Sequence, residues 1–376
     1  MTTLTVYFCG TGSTKFDATN DTYWNGELVS TLASHELSRE FAEWAVIDGP
    51  GTSNLQADEM FYESEEYGIA GSLFGSGWVE NVKHALQLIK GKSSWQRLEL
   101  SEEEYNRLKA AGIPIEEVKK VGSWFWRKYN YGKRPVSQQE LQEQIIKTFR
   151  KDGIIPTTVN LVGWSRGAVS CHMLANMMLD DPELKQVPVN IFAVDPVPGP
   201  LNFQPERVTL GANVKEYVGF FARDERSKWF CCVIPQTHNS TRTHIYPMAG
   251  RHGTLAGNAS LKGTRGPKQL PEPGLIVRHF AERCLTRWGV KLDKMLQLST
   301  ADLQKHHAAI EQAEADYVRM RKESYTYFTE QEQGERYVSH GSKGTAFSTV
   351  QGPALQPTAG LSASLVFEQS SYLGIR

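Results

Sequence analysis

From Leu4 to about residue 258, short apolar runs alternate with stretches whose apolar positions recur every three or four residues. The runs are Leu4–Cys9, Trp44–Ile47, Thr158–Val162, Pro188–Val194 and Lys215–Ala222, all rich in β-branched and aromatic residues. Shorter pieces at Cys231–Pro235 and His244–Met248 are candidates to complete a sheet. Between the runs, Val29, Ala33, Leu37, Phe41 and Trp44 share one stripe and predict a helix over Glu27–Trp44. Val79, Val82, Leu86 and Ile89 predict another from Trp78 to Ile89, and Gln138–Lys151 predicts a third. Apolar strands alternating with helices at this spacing predict an α/β fold: a mainly parallel sheet covered by helices on both faces.

Two regions break the rhythm. Residues 91–135 carry a capping-type start at Ser101 and an aromatic, basic stretch from Ser123 to Tyr131, and read as a lid or insertion. A glycine-rich loop, Gly68–Gly77, precedes the second helix. Beyond residue 270, Gly274–Leu292 and Thr300–Glu330 read as helices, and a polar tail follows from Gly334 with one strand-like piece, Ala363–Phe367. The expected division is a catalytic domain over 1–270 and a helical C-terminal extension over 271–376.

Composition narrows the class. A net charge of −1 over 376 residues gives no field to steer nucleic acid. Five cysteines, an odd number with no C-x-x-C pair, fit free thiols in a reducing compartment rather than a disulfide framework or a zinc site. No metal and no cofactor is expected. The N-terminus lacks a basic n-region, and no run approaches the roughly 20 apolar residues of a membrane span. The expectation is a chain made in the cytoplasm, with any export leaving the N-terminus uncleaved.

The chemistry centres on Gly163-Trp164-Ser165-Arg166-Gly167, which joins the Thr158–Val162 strand to a small-residue helical segment. Strand, G-x-S-x-G and helix in that order form the context of a nucleophile elbow. Gly163 and Gly167 would let strand and helix pass closely around a strained Ser165. A serine needs a base, and the base needs an acid to hold its tautomer; in α/β-hydrolases these follow as Ser, Asp or Glu, His. Asp195, ending an apolar strand before Pro196, is the stronger candidate acid; Asp224, among the charges of R-D-E-R, is the alternative. Of the downstream histidines, His172 lies in the elbow helix, His279, His306 and His307 lie on C-terminal helices, and His238, His244 and His340 lie in polar stretches. His252 alone stands in a glycine-flanked loop after a strand, which makes it the candidate base. An oxyanion hole would combine the Arg166 N–H with donors from the Gly10-Thr11-Gly12 loop. That loop is not a P-loop, because no G-x-x-x-x-G-K-[ST] is present.

The ordered blocks F-C-G-T-G, G-S-L-F-G-S-G-W, G-W-S-R-G-A, V-D-P-V, R-D-E-R and G-R-H-G-T-L-A-G resemble the bacterial and fungal α/β-hydrolase family that includes the type VI secretion lipase effectors of family 1. The resemblance spans about residues 4–258. It implies Ser165 as nucleophile, Asp195 as acid, His252 as base, Gly10 and Thr11 as oxyanion-hole backbone, and Asp224, Glu225 and Arg226 as buttress. It also implies phospholipase A1 or A2 activity on membrane phospholipids, peripheral membrane contact, a cognate immunity protein and a secretion-apparatus partner. The family's D-V-G-G after the histidine is replaced by Thr254-Leu255-Ala256-Gly257, so the role of that aspartate is absent or supplied elsewhere. Two other readings use the same residues: an esterase or thioesterase for a small soluble substrate, and a non-catalytic binding protein on a hydrolase scaffold.

Overall fold

The computed structural model describes residues 2–50, 78–91, 118–121, 128–131, 146, 149–150, 154–199, 202–227, 230–261, 268–323, 336 and 338–339. Six strands form the central sheet: β1 (Thr3–Phe8), β2 (Trp44–Ile47), β3 (Thr158–Trp164), β4 (Val189–Val194), β5 (Val214–Ala222) and β6 (Arg242–Met248). Their order is β2-β1-β3-β4-β5-β6, and every neighbouring pair is parallel. Among the helices are α1 (Leu28–Ser34), α2 (Trp78–Lys90), α3 (Arg166–Asp180), the single turn α4 (His252–Leu255), α5 (Glu272–Arg287), α6 (Thr300–Gln312) and α7 (Glu314–Met320).

Alternate strand positions feed two cores, as a sheet covered on both faces requires. Val159, Leu161, Ile191 and Ala193 pack with Val82 and Ile89 of α2 and Val169 and Leu174 of α3. Val162, Trp164, Phe192, Val194 and Phe220 pack with Leu28 and Leu32 of α1 and Ile276 and Phe280 of α5. Ile310 and Tyr317 bring α6 and α7 into this second core. The chain is therefore an α/β fold, consistent with an α/β-hydrolase-type architecture.

Several elements differ from the sequence reading. The helix expected over Glu27–Trp44 stops at Ser34, because the chain must turn back to enter β2 beside β1. Leu37 is exposed and Phe41 takes a positive φ of 66°, so their place on the stripe was coincidence of spacing. Cys232–Val233 joins Val338–Ser339 in a separate parallel pair rather than the central sheet. The helix expected over Thr300–Glu330 breaks at Ala313. Within 91–135, Val118–Val121 and Lys128–Tyr131 form an antiparallel ribbon apart from the main sheet. Gly68–Gly77, the rest of 91–135, most of Gln138–Lys151 and the tail with Ala363–Phe367 lie outside the described residues. Among the described residues, no helix is long and apolar enough to cross a membrane.

One buried side chain closes the edge below β2. The Arg150 guanidinium donates to the carbonyls of Phe41, Ala42, Leu88, Ile89 and Ile154, capping the last turn of α2 and the turn before β2 together. Burial lowers its pKa to about 10, so the cation is retained at neutral pH. Arg150→Met keeps the aliphatic stem and strips these carbonyls of their donor. It should lower the unfolding free energy by about 3 kcal/mol, given the cost of unpaired buried polar groups. Urea unfolding of the two proteins checks this, and an unchanged midpoint would mean that water or backbone shifts replace the guanidinium.

Candidate active site

After β1 the chain moves outward to β2, and β3 then returns on the other side of β1. In parallel sheets, ligands bind at such a reversal, outside the carboxyl ends of the strands, which here are those of β1 and β3. The Gly10 loop and Ser165 both lie there.

The elbow works by removing side chains from close backbone crossings. A methyl group at Gly163 would fall 2.5 Å from the Gly167 carbonyl, and one at Gly167 would fall 2.2 Å from the Phe8 carbonyl oxygen. A methyl at Gly10 would sit 2.3 Å from the Trp164 ring. These contacts press β1, β3 and the start of α3 together. Ser165, between them, has φ 59° and ψ −129°, a strained conformation for a residue with a side chain. Its N–H donates to Val194 O at 3.0 Å, and its carbonyl accepts from Val169 and Val197. The turn is held while the side chain makes no cap to its own helix.

His252 opens α4, just past the end of β6. Its Nδ1 lies 2.6 Å from Asp195 Oδ2. Because an ionised carboxylate only accepts, Nδ1 donates this bond, which leaves Nε2 as the ring nitrogen not engaged by the acid. The ring packs against Trp164, at a centroid distance of 4.9 Å and tilted by 37°, and against Phe230, at 4.9 Å and edge-on. Trp164 neighbours Ser165 in sequence, so the packing holds the imidazole beside the elbow. Among the described residues no hydrogen bond joins Ser165 to His252; catalytic hydrogen bonds commonly tighten only once substrate is bound.

Asp195 is fully buried, with a positive φ of 45° that turns the chain at the end of β4. Its carboxylate accepts from the Ala222 N–H at 2.9 Å and from His252. Arg336 donates to both oxygens, with Nη2 at 2.9 Å from Oδ2. Burial alone would raise the acid's pKa, but Arg336 and His252 outweigh it and bring the value down to about 2. Sequence reasoning missed Arg336, which stands in a polar tail without periodicity.

Asp224 lies elsewhere in the loop network. Its carboxylate accepts from the Gly250 N–H at 3.0 Å and from Arg321 Nε and Nη2 at 3.0 and 2.9 Å. Glu225 accepts from the backbone N–H of His252 at 3.1 Å and of Ser227 at 2.6 Å. Arg336 and these bonds overcome the effect of burial and hold Glu225 below its ordinary pKa. Arg226 donates to the carbonyls of Arg223 and Glu225, stapling its own loop. The Gly10 loop is pinned by Ser13 N–H to Gly10 O and by Gly12 N–H to Pro50 O. Among the described residues the N–H groups of Gly10 and Thr11 have no acceptor. The Arg166 guanidinium is lowered to about 10 by burial and, secondarily, by the nearby Arg207. No cluster of His, Cys, Asp and Glu suited to a metal occurs among the described residues.

Two outcomes follow from this geometry. Gly167→Ala should displace the end of β1 from the elbow, with loss of stability or of Ser165's reactivity, read by thermal melting and covalent labelling. The pH dependence of stability carries the second. Asp195 has a folded pKa below the roughly 3.9 of an unfolded aspartate. Its ionisation therefore stabilises the fold above about pH 4–5, and that contribution is lost as pH falls towards 2. Acid denaturation of Asp195→Asn should show a shallower slope in that window than wild type; an equal slope would assign the acid sensitivity to other groups.

No protein-family model and no curated protein matches the chain. Among solved structures, an uncharacterized protein from Pseudomonas aeruginosa is similar at 14% identity and a TM-score of 0.46, over 85% of this chain and 52% of that one. The Tle1 effector bound to the VgrG spike of the type 6 secretion system is a more distant likeness, at 12% identity and a TM-score of 0.33, over 68% of this chain and 51% of that one. The chain thus spans about half the length of each.

Proposed function

We propose that the chain is a serine hydrolase of lipid esters, of phospholipase A1 or A2 type, working through an acyl intermediate on Ser165. The observation that carries this reading is the His252 Nδ1–Asp195 Oδ2 bond of 2.6 Å beside a serine on a strained strand-to-helix turn. In this reading His252 Nε2 takes the Ser165 hydroxyl proton as Oγ bonds the ester carbonyl carbon. The N–H groups of Arg166, Gly10 and Thr11 would receive the oxyanion; losing one such donor typically costs ~10²–10³ in rate. His252 then passes its proton to the leaving alcohol, and water, activated by the same imidazole, releases the fatty acid and frees the serine. Asp195 stays ionised throughout and holds the ring.

The ordered sequence blocks support the lipid substrate and the effector role. With that role come a secretion-apparatus partner, a cognate immunity protein and peripheral contact with a membrane. A second reading, a binding protein on a hydrolase scaffold, is favoured by the lack of a described Ser165–His252 hydrogen bond. Fluorophosphonate labelling separates the two: wild type should label and Ser165→Ala should not. Equal or absent labelling would select the scaffold. Phospholipid vesicles then test the substrate, with fatty-acid release expected from wild type and lost in Ser165→Ala and His252→Ala. Turnover confined to short soluble esters would sink the phospholipase assignment.

A further inference from the structure

The guanidinium behind the proposed triad poses a physical problem. Arg336 is buried, and its contacts go to both oxygens of Asp195, to the Ala222 carbonyl and to the Phe230 carbonyl at 2.8 Å. It is delivered by the C-terminal segment, where Val338–Ser339 pair with Cys232–Val233. A buried cation needs a partner, and Asp195 provides one. Yet the same carboxylate is the group expected to offset the imidazolium formed on His252 during turnover. Paired with Arg336, it is already neutralised.

Glu225 resolves the conflict. Its carboxylate is buried and accepts directly from the His252 backbone N–H. Asp195 and Glu225 bring two carboxylates to His252, and the guanidinium groups of Arg336 and Arg226 lie in the same buried cluster. Cys232 beside Arg336 and Tyr217 towards Asp195 are both pushed up by burial and stay neutral. Cys231 is buried next to Cys232. Arg226 donates to carbonyls and keeps its charge beside Glu225 and Arg336, while Arg223, Arg321 and Glu314 cluster around Asp224. Trp164 and Phe230 bring aromatic rings against His252.

We propose that Arg336 is a positioning residue of the triad, acting with Glu225 to set the charge around His252. The proposal rests on the hydrolase reading and extends the site to the C-terminal segment. Without Arg336, two buried carboxylates face the ring and hold a proton on it to higher pH. Without Glu225, one of the two carboxylates beside the ring is lost and the proton leaves at lower pH.

The test is an NMR titration of the His252 ring in the full-length, ¹⁵N-histidine-labelled protein, run on wild type, Arg336→Gln, Arg336→Lys and Glu225→Gln. The midpoint should rise in Arg336→Gln by about one pH unit, as expected for a neighbouring charge. It should stay near wild type in Arg336→Lys and fall in Glu225→Gln. Unmoved midpoints in Arg336→Gln and Glu225→Gln overturn the proposal, even if both variants lose stability, because they leave Arg336 a structural role alone. Should Arg336→Gln fail to fold, Glu225→Gln decides: a fall supports the proposal and no shift overturns it. The pH profile of Ser165 labelling is measured on the same proteins. A wild type that does not label overturns the hydrolase reading, whereas the ring titration still decides the charge balance independently.

Discussion

A carboxylate with no access to water must find all its partners inside the protein, and Asp195 finds them in three separate parts of the chain. The Ala222 N–H comes from the end of β5, His252 from the turn after β6, and Arg336 from the C-terminal segment. Removing one partner of a buried ion pair typically costs about 3–5 kcal/mol, because the remaining charge is stranded. The fold and the site are therefore coupled through one group. Anything that brings these three segments together also sets the orientation of the His252 ring.

The other half of the site is built from close approach rather than charge. Gly163 and Gly167 let β3, the start of α3 and the end of β1 meet at distances no Cβ would allow, and Gly10 makes room for the Trp164 ring. Trp164 then packs on His252. Steric necessity thus runs from the first strand, through the elbow, to the imidazole, and the strain at Ser165 is held by backbone bonds to Val194, Val169 and Val197. The arrangement is held by the fold itself.

What could be read from the sequence was what is encoded locally. Apolar runs such as Ile191–Val194 announce a strand buried on both faces because each residue must be apolar whichever way it points. The G-x-S-x-G block is legible because strain, glycine and serine fall within five residues. Periodicity misled over Leu37–Trp44, where the need to enter β2 in register overrides the helical stripe. Arg336 left no local signal: its partner lies 141 positions away, and the strand beside it is two residues long. Glu225 was visible only as part of R-D-E-R, where its charge was legible and its bond to the His252 backbone was not.

The two strand-end acids that compete as triad members prove to be alike in one respect. Each is buried and each is bound by an arginine from beyond residue 320, Asp195 by Arg336 and Asp224 by Arg321. They differ in what else they hold. Asp224 grips the Gly250 backbone, two residues before the histidine, whereas Asp195 grips the histidine ring. One carboxylate therefore fixes where the loop enters α4, and the other fixes how the ring is turned once it is there. With Glu225 on the His252 N–H between them, three acids constrain one residue at its approach, its backbone and its side chain. Rigidity at that point follows from charge that has nowhere else to go, which is why the C-terminal arginines, remote in sequence, belong to the architecture of the site.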